Sequence, residues 1–77
     1  MLRVDIRTII KIDKLIQRGA TGSPSELASR LDLSERAIYK YLKFMKEELR
    51  APIEFSKIKG TYNYVLNGAF NFKWKES

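Results

Sequence analysis

The sequence predicts a mainly helical α+β domain: a bundle of three helices followed by a β-hairpin. Three observations predict it. Apolar residues recur at helical spacing ahead of Pro52, Ser23 and Ser34 each open a capped helix, and apolar–polar alternation takes over after Pro52. With 77 residues the chain has room for one small core and no second one. Residues 1–68 are expected to form the domain, and 69–77 an aromatic arm or an extra strand.

The first helix is expected from Arg3 to Arg18. On a wheel of about 100° per residue, Leu2, Ile6, Ile9, Ile12 and Ile16 share one broad side, with Arg7, Lys11, Lys14 and Arg18 opposite. The isoleucines would suit a strand by propensity, but their period is close to 3.6, not 2. Asp13 falls inside the apolar arc without an evident partner. Gly19 ends the helix, and Ala20-Thr21-Gly22 is a loop.

The second helix carries the clearest signal. Ser23-Pro24-Ser25-Glu26 places Ser at N-cap, Pro at the first helical position and Glu at the third, which is a capping box. Leu27, Ala28 and Leu31 make its buried stripe. Leu31-Asp32-Leu33 leaves room only for a tight turn before Ser34, a second N-cap. Two capped helices joined by so short a turn form a helix-turn-helix.

The third helix is expected from Glu35 to Arg50. Ala37, Ile38, Tyr41, Leu42, Met45 and Leu49 share the buried side; Arg36, Tyr39, Lys40, Lys43, Glu47 and Arg50 share the other. Ala51-Pro52 stops it, since Pro has no N–H to give and disfavours helix in the residue before it. Ile53 and Phe55 then alternate with Glu54 and Ser56, and Tyr62, Tyr64 and Leu66 with Thr61, Asn63, Val65 and Asn67, with Lys57-Ile58-Lys59-Gly60 as the connection. Phe70, Phe72 and Trp74 make a third alternation. They either cover the open side of the domain or form a dimer seam, and the small core favours the seam.

Composition removes several functions before any motif is read. The chain has neither Cys nor His, so disulfides, thiolate or imidazole metal sites and nucleophile–His pairs are all impossible. Its glycines, at 19, 22, 60 and 68, stand singly and make no phosphate loop. Glu47 and Glu48 point to different sides of a helix, so no catalytic carboxylate pair forms. No enzyme activity, cofactor or small-molecule site is expected. The charges in Leu2–Ile16 rule out a signal h-region and a membrane span, so the chain reads as cytoplasmic. Fifteen basic against nine acidic residues give +6, the right sign for a polyanion partner.

Three helices and a basic-tipped hairpin resemble the winged helix-turn-helix DNA-binding domains of bacterial transcription regulators. The residues carrying the resemblance are Ser23-Pro24-Ser25-Glu26-Leu27-Ala28, Leu31-Asp32-Leu33-Ser34, Ala37-Ile38-Tyr39-Lys40-Tyr41-Leu42, and Ala51 to Phe55 leading to Gly60-Thr61-Tyr62. They are similar to the amino-terminal domains of DeoR-like and WYL-type regulators, over about residues 5 to 67. Asp32 departs from the family's turn, which usually has Gly; Asp tolerates the left-handed conformation better than most residues. Larger members also carry a ligand-sensing domain; none is expected within these 77 residues, so effector control does not carry over.

The resemblance implies duplex DNA as partner, bound by a homodimer for transcription regulation. The second helix of the motif enters the major groove with residues near its amino end, here Ser34, Glu35 and Arg36, followed by Tyr39, Lys40 and Lys43. Arg36 is the expected base reader, since its fork can donate two hydrogen bonds to one guanine edge. Tyr39 suits a thymine methyl or a phosphate, and Lys40 and Lys43 suit phosphates. Glu35 and Glu47 repel phosphate unless they accept from a cytosine amine or hold a neighbouring Arg. Ser23 and Ser25, at a helix amino end, suit a phosphate, and Lys57, Lys59 and Thr61 would meet the adjacent backbone or minor groove. The competing expectation is a protein-interaction module whose aromatic arm docks on a partner, with the basic face idle.

Overall fold

The computed structural model describes residues 4–65, 68–70 and 74–76. Three helices, α1 (Ile6–Arg18), α2 (Pro24–Leu31) and α3 (Glu35–Glu47), lead into two antiparallel hairpins. The first pairs β1 (Ile53–Ser56) with β2 (Thr61–Tyr64), the second β3 (Gly68–Phe70) with β4 (Trp74–Glu76). Three helices and a hairpin wing are therefore the observed architecture. In the last alternation Gly68–Phe70 pairs with Trp74–Glu76, Phe70 opposite Trp74; Phe72 lies outside the described residues.

Each helix starts where a side chain can accept from an orphan amide. Asp5 caps α1 by accepting from Arg7 N–H at 2.9 Å, so that helix begins three residues later than Arg3. Ser23 and Glu26 form the reciprocal capping box of α2, and Ser34 accepts from Ala37 N–H at 3.1 Å. The two turns between helices close alike. At Gly19 (φ 64°), Gly19 N–H reaches the Ile16 carbonyl and Ala20 N–H the Leu15 carbonyl. At Asp32 (φ 56°) the same pair runs from Asp32 N–H to Ser29 and from Leu33 N–H to Ala28. Asp32 thus fills a glycine's place, and the tight turn survives the departure.

Helix α3 stops at Glu47, short of the expected Arg50. Arg50 takes a left-handed φ of 57°, which turns the chain so that Ala51 N–H donates back to the Met45 carbonyl at 2.9 Å. Pro52 then leads into β1. The wing's register sets Ile53 opposite Tyr64, Phe55 opposite Tyr62 and Ser56 opposite Thr61.

The core draws on every element from α1 to β2: Ile9, Ile12 and Ile16; Leu27 and Ala28; Ile38, Leu42 and Met45; then Ala51, Ile53 and Tyr62. Ile6 does not join it. It lies one turn before Ile9, in the first turn of α1, and remains 53% exposed. Phe55, in phase with Ile53, also turns largely outward, its ring edge-on to Tyr62 at 5.0 Å.

Two polar ties hold the wing to the helices. Asp13, buried inside the apolar arc, accepts from the Tyr64 hydroxyl at 2.6 Å and from the Gln17 amide at 2.9 Å. Burial first, and then this hydrogen bond, raise the Tyr64 hydroxyl far above its ordinary pKa. Thr21, fully buried in the loop after α1, meets the Thr61 hydroxyl at 2.8 Å and accepts from Tyr62 N–H at 2.8 Å. Both ties satisfy groups that would be costly to bury alone.

Candidate nucleic-acid interface

The candidate interface starts from the packing of α3. Ile38, Leu42 and Met45 face the core, which turns Arg36, Tyr39, Lys40 and Lys43 to solvent. All four are exposed, as are Ser34 and Glu35 at the amino end of the helix. Among the described residues Arg36, Lys40 and Glu35 take part in no ion pair. Lys43 does, with Glu47 at 3.9 Å, one turn further on. That pair is open to water, with the Lys43 side chain 77% exposed, so it holds the ammonium only weakly.

Tyr39 stands on the same face and is 52% exposed. Burial pushes the Tyr62 hydroxyl above its ordinary pKa, and the neighbouring Tyr39 adds to the shift. Within the first hairpin the Phe55 ring lies edge-on to Tyr62, their centroids 5.0 Å apart.

At the start of α2, Ser23 accepts from Glu26 N–H, and Glu26 accepts from Ser23 N–H at 3.3 Å. The Ser23 oxygen is occupied while its proton remains to be donated; Ser25 is exposed. Glu26 sits at the same helix end and counters an anion there, which makes Ser25 the better placed of the two serines.

On the wing, Lys57 and Lys59 are exposed in the connection between the strands. Thr61 is not part of that surface. Only 4% of it is exposed, and its hydroxyl is taken by Thr21, so it belongs to the tie beneath the wing. Alternation alone could not show this, because both Thr61 and Tyr62 are buried where β2 leaves the loop. Sequence reasoning also passed over Ile58, which the structure leaves 98% exposed between the two lysines. The signal was present in an apolar residue at a turn position that favours small polar ones.

No described helix is long and apolar enough to cross a membrane. No curated protein and no solved structure matches the chain. A family model does: that of a helix-turn-helix (HTH) domain, over residues 5–61, which spans all three helices and the connection of the first hairpin. This match covers most of the chain and ends where the wing turns back. With its capped α2, its left-handed turn at Asp32 and its outward-facing basic α3, the chain belongs to the HTH domain family, a DNA-binding and non-catalytic kind.

Proposed function

We propose that the chain binds duplex DNA sequence-specifically, as a homodimeric transcription regulator of the bacterial cytoplasm, with α3 in the major groove. One observation carries the reading: Arg36 and Lys40 stand exposed on the outward side of the motif's second helix, without ion pairs among the described residues. A guanidinium there can donate two parallel hydrogen bonds to the O6 and N7 of a guanine. Lys40 and Lys43 serve as point charges for phosphates, and Tyr39 packs on a thymine methyl or bonds a phosphate. Ser34 and Glu35 border the groove edge at the amino end, Glu35 accepting from a cytosine amine.

Ser25, with Ser23 and the first amides of α2, holds a phosphate on the flanking strand. Lys57 and Lys59 meet the neighbouring backbone or minor groove. The aromatic hairpin bearing Phe70, Phe72 and Trp74 supplies the dimer seam, which would place two recognition helices on two half-sites.

A mobility-shift titration with mixed genomic fragments at two salt concentrations tests the reading. Binding that weakens steeply with salt, and that differs between fragments, is the expected result. Absence of binding even at low salt sinks it and leaves the domain as a protein-interaction module.

A further inference from the structure

We infer that Ile58 is an apolar wedge, set by the wing into the minor groove of bound duplex DNA and flanked there by Lys57 and Lys59. The inference rests on the DNA reading above and adds a contact to it. Ile58 is 98% exposed, the most exposed of the large apolar side chains described, and it adds nothing to the core. The loop holding it is well organised. Ser56 and Thr61 are paired at its base, Gly60 N–H donates to the Ser56 carbonyl at 2.7 Å, and Lys59 N–H to the Ser56 hydroxyl at 3.2 Å. Gly60 supplies the left-handed φ of 66° that the return requires. A fixed loop that presents an isoleucine to water is not explained by folding, since turns are better served by Gly, Asn, Asp or Ser.

The flanking charges identify the occupant. A minor groove is a narrow slot, about 6 Å wide, walled on both sides by phosphates. An apolar side chain between two ammonium groups matches that layout, and isoleucine is among the residues that wedge between base steps. Pyrimidine–purine steps open at least cost, so the contact should favour them. An anionic lipid surface offers similar chemistry, but one isoleucine with two lysines gives only feeble attachment there. On DNA the wedge adds to a helix already bound.

The test uses the intact chain and three alternating duplexes: poly(dA-dT), poly(dG-dC) and poly(dI-dC). The guanine 2-amino group lies in the minor groove, and hypoxanthine lacks it while keeping the major-groove edge of guanine. Ile58→Ala should melt like the unaltered chain. It should weaken binding to poly(dA-dT) and poly(dI-dC) by about tenfold, and to poly(dG-dC) by less than about twofold. Ile58→Met should keep the affinity, and the salt slope should not change in either variant. Lys57→Ala should instead lower the slope by about one. Equal binding of Ile58→Ala and the unaltered chain to all three duplexes overturns the wedge, and an equal loss on all three overturns its groove. If the unaltered chain binds none of them at low salt, the DNA reading itself fails and the wedge falls with it. Ile58-dependent binding to phosphatidylserine vesicles, with DNA binding unchanged, overturns it in favour of a lipid contact.

Discussion

Arg50 holds a left-handed backbone at φ 57°, where helix ends ordinarily place glycine. That conformation costs a side chain about 1–2 kcal/mol, and glycine's extra freedom in the unfolded chain returns part of it. Arg50→Gly should therefore raise stability by about 0.5–1 kcal/mol in urea or thermal melts; a loss would mean the arginine makes a contact that outweighs its strain. Position also decides what each cation on α3 should do. Arg36→Ala should relax sequence preference and cost about 1–3 kcal/mol on the preferred site. Lys43→Ala should weaken all sequences alike and flatten the salt slope by about one unit. Equal losses from both, with preference untouched, would show that the base reader lies elsewhere. Most of these residues were legible. The periodicity of Ile38, Leu42 and Met45 fixes which side of α3 is buried, and so which cations face out. Thr61 and Ile58 were not, because alternation in a short hairpin does not tell which residue turns under the wing and which stands at its tip.

Between elements, the wing's hold on the helices can be tested through Asp13. Tyr64→Phe removes one donor from a buried carboxyl group and leaves it the Gln17 amide, at a cost of about 1–3 kcal/mol. Converting Asp13 to Leu as well removes the group that needs the donor, so the double variant should recover most of the loss. A double variant as unstable as the sum of both singles would show that the two side chains act independently. The start of α1 predicts a pH dependence. The Arg7 amide, and then the Arg7 side chain, hold the Asp5 carboxyl below its ordinary value of 3.8. A carboxyl lowered by folding stabilises the native state above its unfolded pKa, and that contribution is lost as pH falls through the folded one. Melting temperature should thus decline on acidification below 3.8, and Asp5→Ser, a cap without charge, should lose that part of the decline. A variant with an unchanged pH profile would mean the cap charge is immaterial. The capping residues could be read directly, because Ser23, Glu26 and Ser34 act on amides three positions away. The tie of Asp13 to the wing could not, since Tyr64 is 51 residues distant and only the Gln17 contact is local. A separation of 40 residues likewise hid the pairing of Thr21 with Thr61.

Taken whole, the molecule has a net charge of +6 and a single small core, and the two bear on different questions. The charge was readable from composition and supports a polyanion partner; the extent of the core depended on which isoleucines of α1 reach it, and Ile6 does not. A core of this size supplies only about 3–5 kcal/mol, which leaves self-association as an added source of stability. The second hairpin is where we place it, since Phe70 and Trp74 stand opposite one another in register. If the seam exists, the intact chain should sediment as a dimer, and its melting temperature should rise with concentration, as mass action requires of a folded state stabilised by its partner. Replacing Phe70, Phe72 and Trp74 together by Ser should reduce the mass to that of one chain and remove the concentration dependence. It should also weaken binding to a duplex carrying two half-sites far more than to one carrying a single half-site, because only the former gains from linked recognition helices. Identical masses for the two proteins would remove the seam, and two half-sites bound no more tightly than one would remove the dimer from DNA recognition.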